Sequence, residues 1–304
     1  MLANKKGRIQ VLCKKEENSS VVKKNSSGQR IKQRLLPEGT PVPFLVHLGV
    51  MTPQGRVINS KQDKFRQVNR FLEFVDDILP EILTKIQPVS LERPVRIVDF
   101  GCGKSYLTFA LHYFLTEKRH LPVEIIGLDL KDDVVAMCQK LAKELKCEGL
   151  FFCKGDIAKY NPERKQFLSP DLVITLHACD TATDYAMDYA VKHGCTAILS
   201  VPCCQHEANA QLNRSQCPPQ LYPLIKHGLL KERFASLVTD AIRGEYLEKH
   251  GYEVQILEFI DVSHTSKNLL IRAVKKNGKE ICNEPSKLSQ FLGLNLTIEN
   301  LKVT

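Results

Sequence analysis

Hydrophobic and polar positions along this chain switch repeatedly between a period of two and a period near 3.6. Val95, Ile97 and Val98 form a β-branched run that reads as a buried strand ending at Asp99. Gly101, Cys102 and Gly103 then turn the chain, and Leu107, Ala110, Leu111, Phe114 and Leu115 recur at helical spacing. Strand, glycine turn, helix is the opening of a doubly wound nucleotide-binding sheet. A second strand follows from Val123 to Leu130, then an amphipathic helix from Asp132 to Lys146, then a third strand from Gly149 to Asp156. Asp171 to Asp180 is an apolar fourth strand with polar residues at its end. Thr181 to Asp184 has the spacing of a capping box and opens a helix that closes near Gly194. Thr196 to Pro202 is the fifth strand, leading into Cys203, Cys204, Gln205, His206 and Glu207. A polar helical insert and a helix from Lys231 to His250 precede strands at Tyr252–Ile260 and Leu269–Val274. The loop between them is too short for a helical crossover, so these two strands should run antiparallel. One helical turn is expected in the tail, around Leu288 to Leu292.

The chain ahead of this sheet has a different pattern. Residues Met1 to Arg34 carry ten Lys/Arg against Glu16 and Glu17, so this arm holds +8 of the net charge of +9. Asn18 and Asn25, each followed by serines, break any helix, although Arg8 to Cys13 could form a short strand. Such an arm is either a solvated terminus or a phosphate-tracking segment, and it has no aromatic residue to stack on bases. Pro37 to Pro53 reads as an extended connector, since Pro41 and Pro43 favour extended backbone. Ser60 to Asp63 again resembles a capping box, opening a helix that should end at Pro80. Its buried stripe is Phe65, Val68, Phe71, Leu72, Val75, Ile78 and Leu79. The opposite face carries Lys64, Arg66, Gln67, Asn69, Arg70 and Glu73, either solvated or turned over a bound ligand.

Composition narrows the setting. Of 304 residues, 43% are hydrophobic and 25% charged, ordinary for a globular chain with a sizeable core. No apolar run approaches the roughly 18 residues of a membrane helix, and no signal-peptide pattern opens the chain. The 11 cysteines are odd in number and have no framework spacing, which points to reduced thiols. Together these set the expectation of a cytoplasmic protein with no membrane partner.

The chemistry gathers at strand ends. Gly101 and Gly103 meet only half of the dinucleotide fingerprint, and the acid before them, Asp99, belongs to a different pattern. That pattern resembles motif I of class I S-adenosylmethionine-dependent methyltransferases, whose cofactor has no pyrophosphate and carries a charged aminocarboxypropyl arm. Asp129 ends the second strand, where an acid can accept hydrogen bonds from both ribose hydroxyls. Asp156 ends the third, where the related enzymes place an acid or amide beside the adenine amino group. Lys104, Leu130, Ile157 and His177 flank these positions and complete the expected cofactor set.

Five segments make the resemblance specific: Leu45 to Met51, Asp63 to Glu73, Asp99 to Thr108, Leu176 to Asp184 and Val201 to Glu207. They are similar to those of a bacterial family of class I S-adenosylmethionine-dependent methyltransferases. The elements at Leu176–Cys179 and Pro202–Cys204 also resemble eukaryotic relatives, including a tRNA 2′-O-methyltransferase group and the glutathione S-transferase C-terminal domain-containing protein. The resemblance implies a Rossmann-like α/β fold: a mostly parallel seven-stranded sheet with an antiparallel final strand and helices on both faces. It divides the chain into a basic arm (1–34), a helical extension (35–90), a methyltransferase domain (91–276) and a tail (277–304). Members of the family tend to carry a longer N-terminal region. S-adenosylmethionine is the implied cofactor, and RNA the favoured acceptor, with a small molecule or protein as runner-up.

In the implied strand order, His177, Cys179 and Asp180 approach Cys203, Cys204, His206 and Glu207. The cofactor's methyl group is already electrophilic, so the protein must align the acceptor and, for a hydroxyl, remove its proton. His177 and His206 are the candidate bases, with Asp180 and Glu207 beside them. Alternatively, Cys203 or Cys204 attacks a pyrimidine ring. A third reading has the His/Cys cluster hold zinc in a binding module. Because Cys203, Cys204 and His206 lack a standard spacing, zinc would need ligands from two strands, and no metal ligand is assigned.

Overall fold

The structure is a computed structural model, and it describes residues 2–3, 9–10, 34–162, 167, 169–176, 178–260, 268–276 and 284–301. It comprises two compact units, Met1–Pro37 and Glu38–Thr304. In the first, Leu2–Ala3 pairs antiparallel with Ile9–Gln10; the second of these lies inside the stretch Arg8 to Cys13 where a short strand is expected. The remainder of the basic arm up to residue 33 lies outside the described residues.

The second unit is built on a seven-stranded sheet. In chain order its strands are β1 (Val95–Phe100), β2 (Val123–Asp129), β3 (Leu150–Lys154), β4 (Leu172–Thr175), β5 (Ala197–Ser200), β6 (Tyr252–Glu258) and β7 (Leu269–Lys275). They lie side by side as β3-β2-β1-β4-β5-β7-β6. All neighbouring pairs are parallel except those made by β7, which inserts antiparallel between β5 and β6. This is the Rossmann-like class I methyltransferase sheet. The chain reverses direction of travel at β1, with β2 on one side and β4 on the other, which opens a crevice at their carboxyl ends.

Near-continuous apolar runs make these strands central. Val95, Ile97, Val98 and Phe100 are each fully buried, as expected of parallel strands covered on both faces. Around the sheet lie α3 (Tyr106–Tyr113), α4 (Asp132–Glu144), α5 (Thr181–Lys192) and α8 (Gly228–Lys249). Phe100, Val173, Met187, Ile198, Val238 and Ile242 share one core across these elements.

Several local expectations are corrected. Pro43 does not extend the connector but opens a short helix, α1 (Pro43–His47), because proline's missing N–H costs nothing at a helix's first position. The helix α2 (Gln62–Lys85) runs through Pro80 for another turn, since Ile82 continues the buried stripe past it. Neither capping box forms. A 3₁₀ turn (Asn59–Lys61) precedes α2, and Asp63 pairs with Arg66. At α5, Asp184 turns inward to Arg243, and Thr183 donates to the Ala178 carbonyl. Asn69 is buried rather than solvated and donates to the Phe65 carbonyl. The tail forms α9 (Lys287–Leu292) and also a second turn, α10 (Thr297–Asn300).

Candidate active site

The glycine turn after β1 is shaped by backbone conformations that ordinary residues avoid. Gly101 and Gly103 have φ of 71° and 52°, and Ser105, at the start of α3, is left-handed at 55°. The N–H groups of Gly101 and Cys102 both donate to the Leu128 carbonyl, which ties the turn to the end of β2. Gly103 N–H donates to Asp129 Oδ2 at 2.9 Å, and Lys131 N–H donates to Oδ1 at 3.0 Å. Asp129 is thus fixed over the turn by two backbone donors, each oxygen keeping capacity for a further bond.

A cavity of about 280 Å³ opens here, lined by Asp99, Gly103, Lys104, Tyr106, Leu176 and, from α2, Lys64. Asp99 lies in its floor, only 4% exposed, with Thr108 Oγ1 donating to Oδ2 at 2.6 Å. Burial pushes its carboxyl up to about 7; the Thr108 bond opposes that rise and the nearby Asp129 adds to it. Lys64 sits 5.0 Å over the Tyr106 ring, and burial lowers its ammonium pKa. Of the polar α2 face, Lys64 is the residue in the lining of this cavity.

The other expected cofactor residues are less gathered. Asp129 borders the cavity through Gly103 and does not line it; Leu130 is 64% exposed. Asp156 is exposed and caps the 3₁₀ turn Ile157–Lys159 by accepting from Ala158 N–H at 3.0 Å, with Ile157 half-buried beside it.

At the ends of β4 and β5 the two expected clusters meet. Cys179 Sγ lies 3.1 Å from Cys203 Sγ, and Glu207 N–H donates to Asp180 Oδ1 at 3.2 Å. Asp180 is strained, with φ 53° and ψ −124°. Burial and then the neighbouring Cys179 and Cys204 thiols push Cys203 up to about 12. His206 is exposed at the first position of α6 (His206–Gln211). His177 lies outside the described residues. Glu207, expected beside the chemistry, is taken up elsewhere: Thr297 donates to its carboxylate from both N–H and hydroxyl, so Glu207 anchors α10.

Behind these loops lies a charged group that the sequence patterns do not single out. Arg243 of α8 is fully buried, with Nε 2.7 Å from Asp184 and one terminal nitrogen 3.1 Å from Asp240. Its other nitrogen donates to the Asp180 carbonyl at 2.7 Å. Gln205, also buried, donates to Asp240 at 3.2 Å. One guanidinium therefore holds the β4–α5 loop directly and the β5–α6 loop through Asp240 and Gln205.

Residues 63–211, just under half of the chain, match a family profile described as a methyltransferase domain. That match gives residues 63–211 the description of a methyltransferase domain, and the sheet that carries them has the strand order of the class I methyltransferase fold. Among curated proteins, the chain is 47% identical to the release factor glutamine methyltransferase of Haemophilus influenzae over 51 residues, 16% of this chain and 18% of that protein. It is 22% identical to the glutathione S-transferase C-terminal domain-containing protein of Bos taurus over 201 residues, 59% of this chain and 30% of that protein. The chain thus spans less than a third of the length of either relative. Among solved structures it is similar to magnesium protoporphyrin IX methyltransferase from Synechocystis with bound S-adenosylhomocysteine: TM-score 0.42, 14% identity, 73% of this chain and 90% of that one.

Proposed function

We propose that the protein transfers the methyl group of S-adenosylmethionine to RNA. The cavity at the carboxyl end of β1, floored by Asp99 and walled by Gly103, is the observation that carries the cofactor reading. In this reading Asp129 receives the ribose hydroxyls and Asp99 the cationic amino-acid end. Asp156 meets the adenine amino group. Gly101 and Gly103 let the ligand approach the backbone, with Lys104, Leu130 and Ile157 around it. The cofactor supplies an electrophilic methyl group, so the chain's own task is alignment and proton removal. His206, exposed at the mouth of the β5–α6 loop, takes the proton of an acceptor hydroxyl, and His177 is the second candidate for that role. Asp180 holds the loop through the Glu207 N–H.

Charge favours RNA as acceptor. The arm concentrates +8 of the chain's +9; the cleft of about 550 Å³ that shares Lys64 with the cofactor cavity adds little to this, because its lining mixes Arg66 and Arg70 with Asp63 and Glu258 and the two arginines pair with Asp63 and Glu73. Tritiated S-adenosylmethionine, incubated with the protein and separated RNA and protein fractions, should label the RNA. Deleting residues 1–34 should weaken RNA binding and lower the salt slope by roughly 0.7 for each phosphate that the arm neutralises. Label confined to protein or to small molecules, or identical salt slopes, would remove RNA from the account.

A further inference from the structure

Cys179 leaves the end of β4 and the pair Cys203 and Cys204 leaves the end of β5, two strands paired in parallel register up to Thr175 and Ser200. The ladder is extended by Val201 N–H, which donates to the Thr175 carbonyl at 2.9 Å. Pro202 then ends it, having no donor. This brings three sulfur atoms together from two separate loops, all within 4.8 Å of one another. In a tetrahedral zinc site with Zn–S near 2.3 Å, sulfur atoms stand about 3.8 Å apart. Cys179 and Cys203, at 3.1 Å, are slightly closer than that, so a side-chain adjustment of well under an ångström opens the pair around an ion.

We propose that Cys179, Cys203 and Cys204 form a trithiolate site for one zinc-type ion. Thiolates select soft or borderline cations such as zinc. Cys179 is exposed and the other two are half-buried, which leaves an entry path. Among the described residues, no His, Asp or Glu joins the three sulfur atoms as a fourth ligand. The second layer is in place: Arg243 and Gln205 hold the two loops from behind, which preorganises the sulfur atoms as outer partners do in metal sites. Each thiol gives up its proton when the ion binds, and the cation's charge offsets the mutual repulsion of three thiolates. A disulfide between Cys179 and Cys203 would use two of the sulfurs and leave Cys204 aside; the ion uses all three. The site stands independently of the methyltransferase reading, since it follows from the sulfur positions alone.

The test is metal analysis of the full chain purified under reducing conditions, followed by titration with zinc alone and then with cobalt(II). One zinc per chain and an intense thiolate-to-cobalt charge-transfer band are expected. Cys179→Ser and Cys203→Ser should each weaken zinc binding by roughly 100-fold, whereas Cys153→Ser, at an exposed thiol away from the cluster, should not change it. Circular dichroism of each variant identifies one that fails to fold. For such a variant, protection of Cys179, Cys203 and Cys204 from alkylation by zinc in the unsubstituted chain takes its place. Absence of zinc uptake by the reduced chain overturns the proposal. So does uptake undiminished in folded serine variants, or alkylation unaffected by zinc.

Discussion

Replacing Arg243 by methionine removes the cation that the loops of the site depend on. The side chain is wholly buried, and its partners Asp184 and Asp240 are 2% and 3% exposed, so water cannot substitute for it. Breaking a buried ion pair from one side costs about 3–5 kcal/mol, because the abandoned carboxylates stay in a low-dielectric interior. For a chain of 304 residues that corresponds to a fall in Tm of roughly 5–8 °C. The loss should also depend on pH. Burial already raises Asp184 from 3.8 to about 6 against the pull of Arg243. A carboxylate whose folded pKa is raised stabilises fully below its unfolded pKa, and that contribution fades as pH rises through the folded value. Without Arg243 the folded pKa climbs further, so the variant loses more at about pH 8 than at about pH 5.5. The double variant Arg243→Met/Asp184→Asn should recover part of the loss. Thermal melts of the three proteins at both pH values measure this. A Tm for Arg243→Met within about 2 °C of the parent at about pH 8, or equal losses at both pH values, would refute the argument.

Three further outcomes are expected. If Asp99, raised to about 7, receives the cationic end of the cofactor as proposed, affinity for S-adenosylhomocysteine should increase between about pH 5.5 and 7.5 as its carboxyl ionises. Asp99→Asn should flatten that rise, and an unchanged pH profile by calorimetry would exclude Asp99 from the site. Lys64→Ala should alter cofactor affinity without lowering Tm, because Lys64 lines the cavity wall; an affinity equal to the parent's would return that lysine to the solvated face. His206→Ala should lower turnover by about 10²–10⁴ with cofactor binding intact, and a turnover within twofold of the parent would move the base elsewhere.

Much of the sheet is legible in the sequence because its strands are short apolar runs bounded by acids and glycines. The runs ending at Asp99 and Asp129 need only local pattern, and the antiparallel β6–β7 pair follows from loop length alone. Local pattern fails where a distant partner competes. Thr181 to Asp184 has the spacing of a capping box, yet Asp184 gains more from the Arg243 guanidinium, 59 positions away, than from a backbone N–H. Glu207 likewise serves Thr297, 90 positions on. Pro80 reads as a stop because proline breaks a helix ladder, but the apolar stripe continuing to Ile82 outweighs one missing hydrogen bond. The triad of sulfur atoms illustrates the limit: Cys203 and Cys204 are adjacent in the chain, but Cys179 joins them only through the pairing of β4 with β5.

The central claim is that the carboxyl edge of β1 and β2 holds S-adenosylmethionine, and isothermal calorimetry with Asp129→Ala tests it most directly. Two hydroxyl contacts to a carboxylate are worth roughly 1.5–3 kcal/mol each. The parent should therefore bind both S-adenosylmethionine and S-adenosylhomocysteine, and Asp129→Ala should bind each at least about tenfold more weakly while keeping its fold by circular dichroism. A parent that binds neither ligand, or a folded variant that binds both as tightly as the parent, would contradict the account.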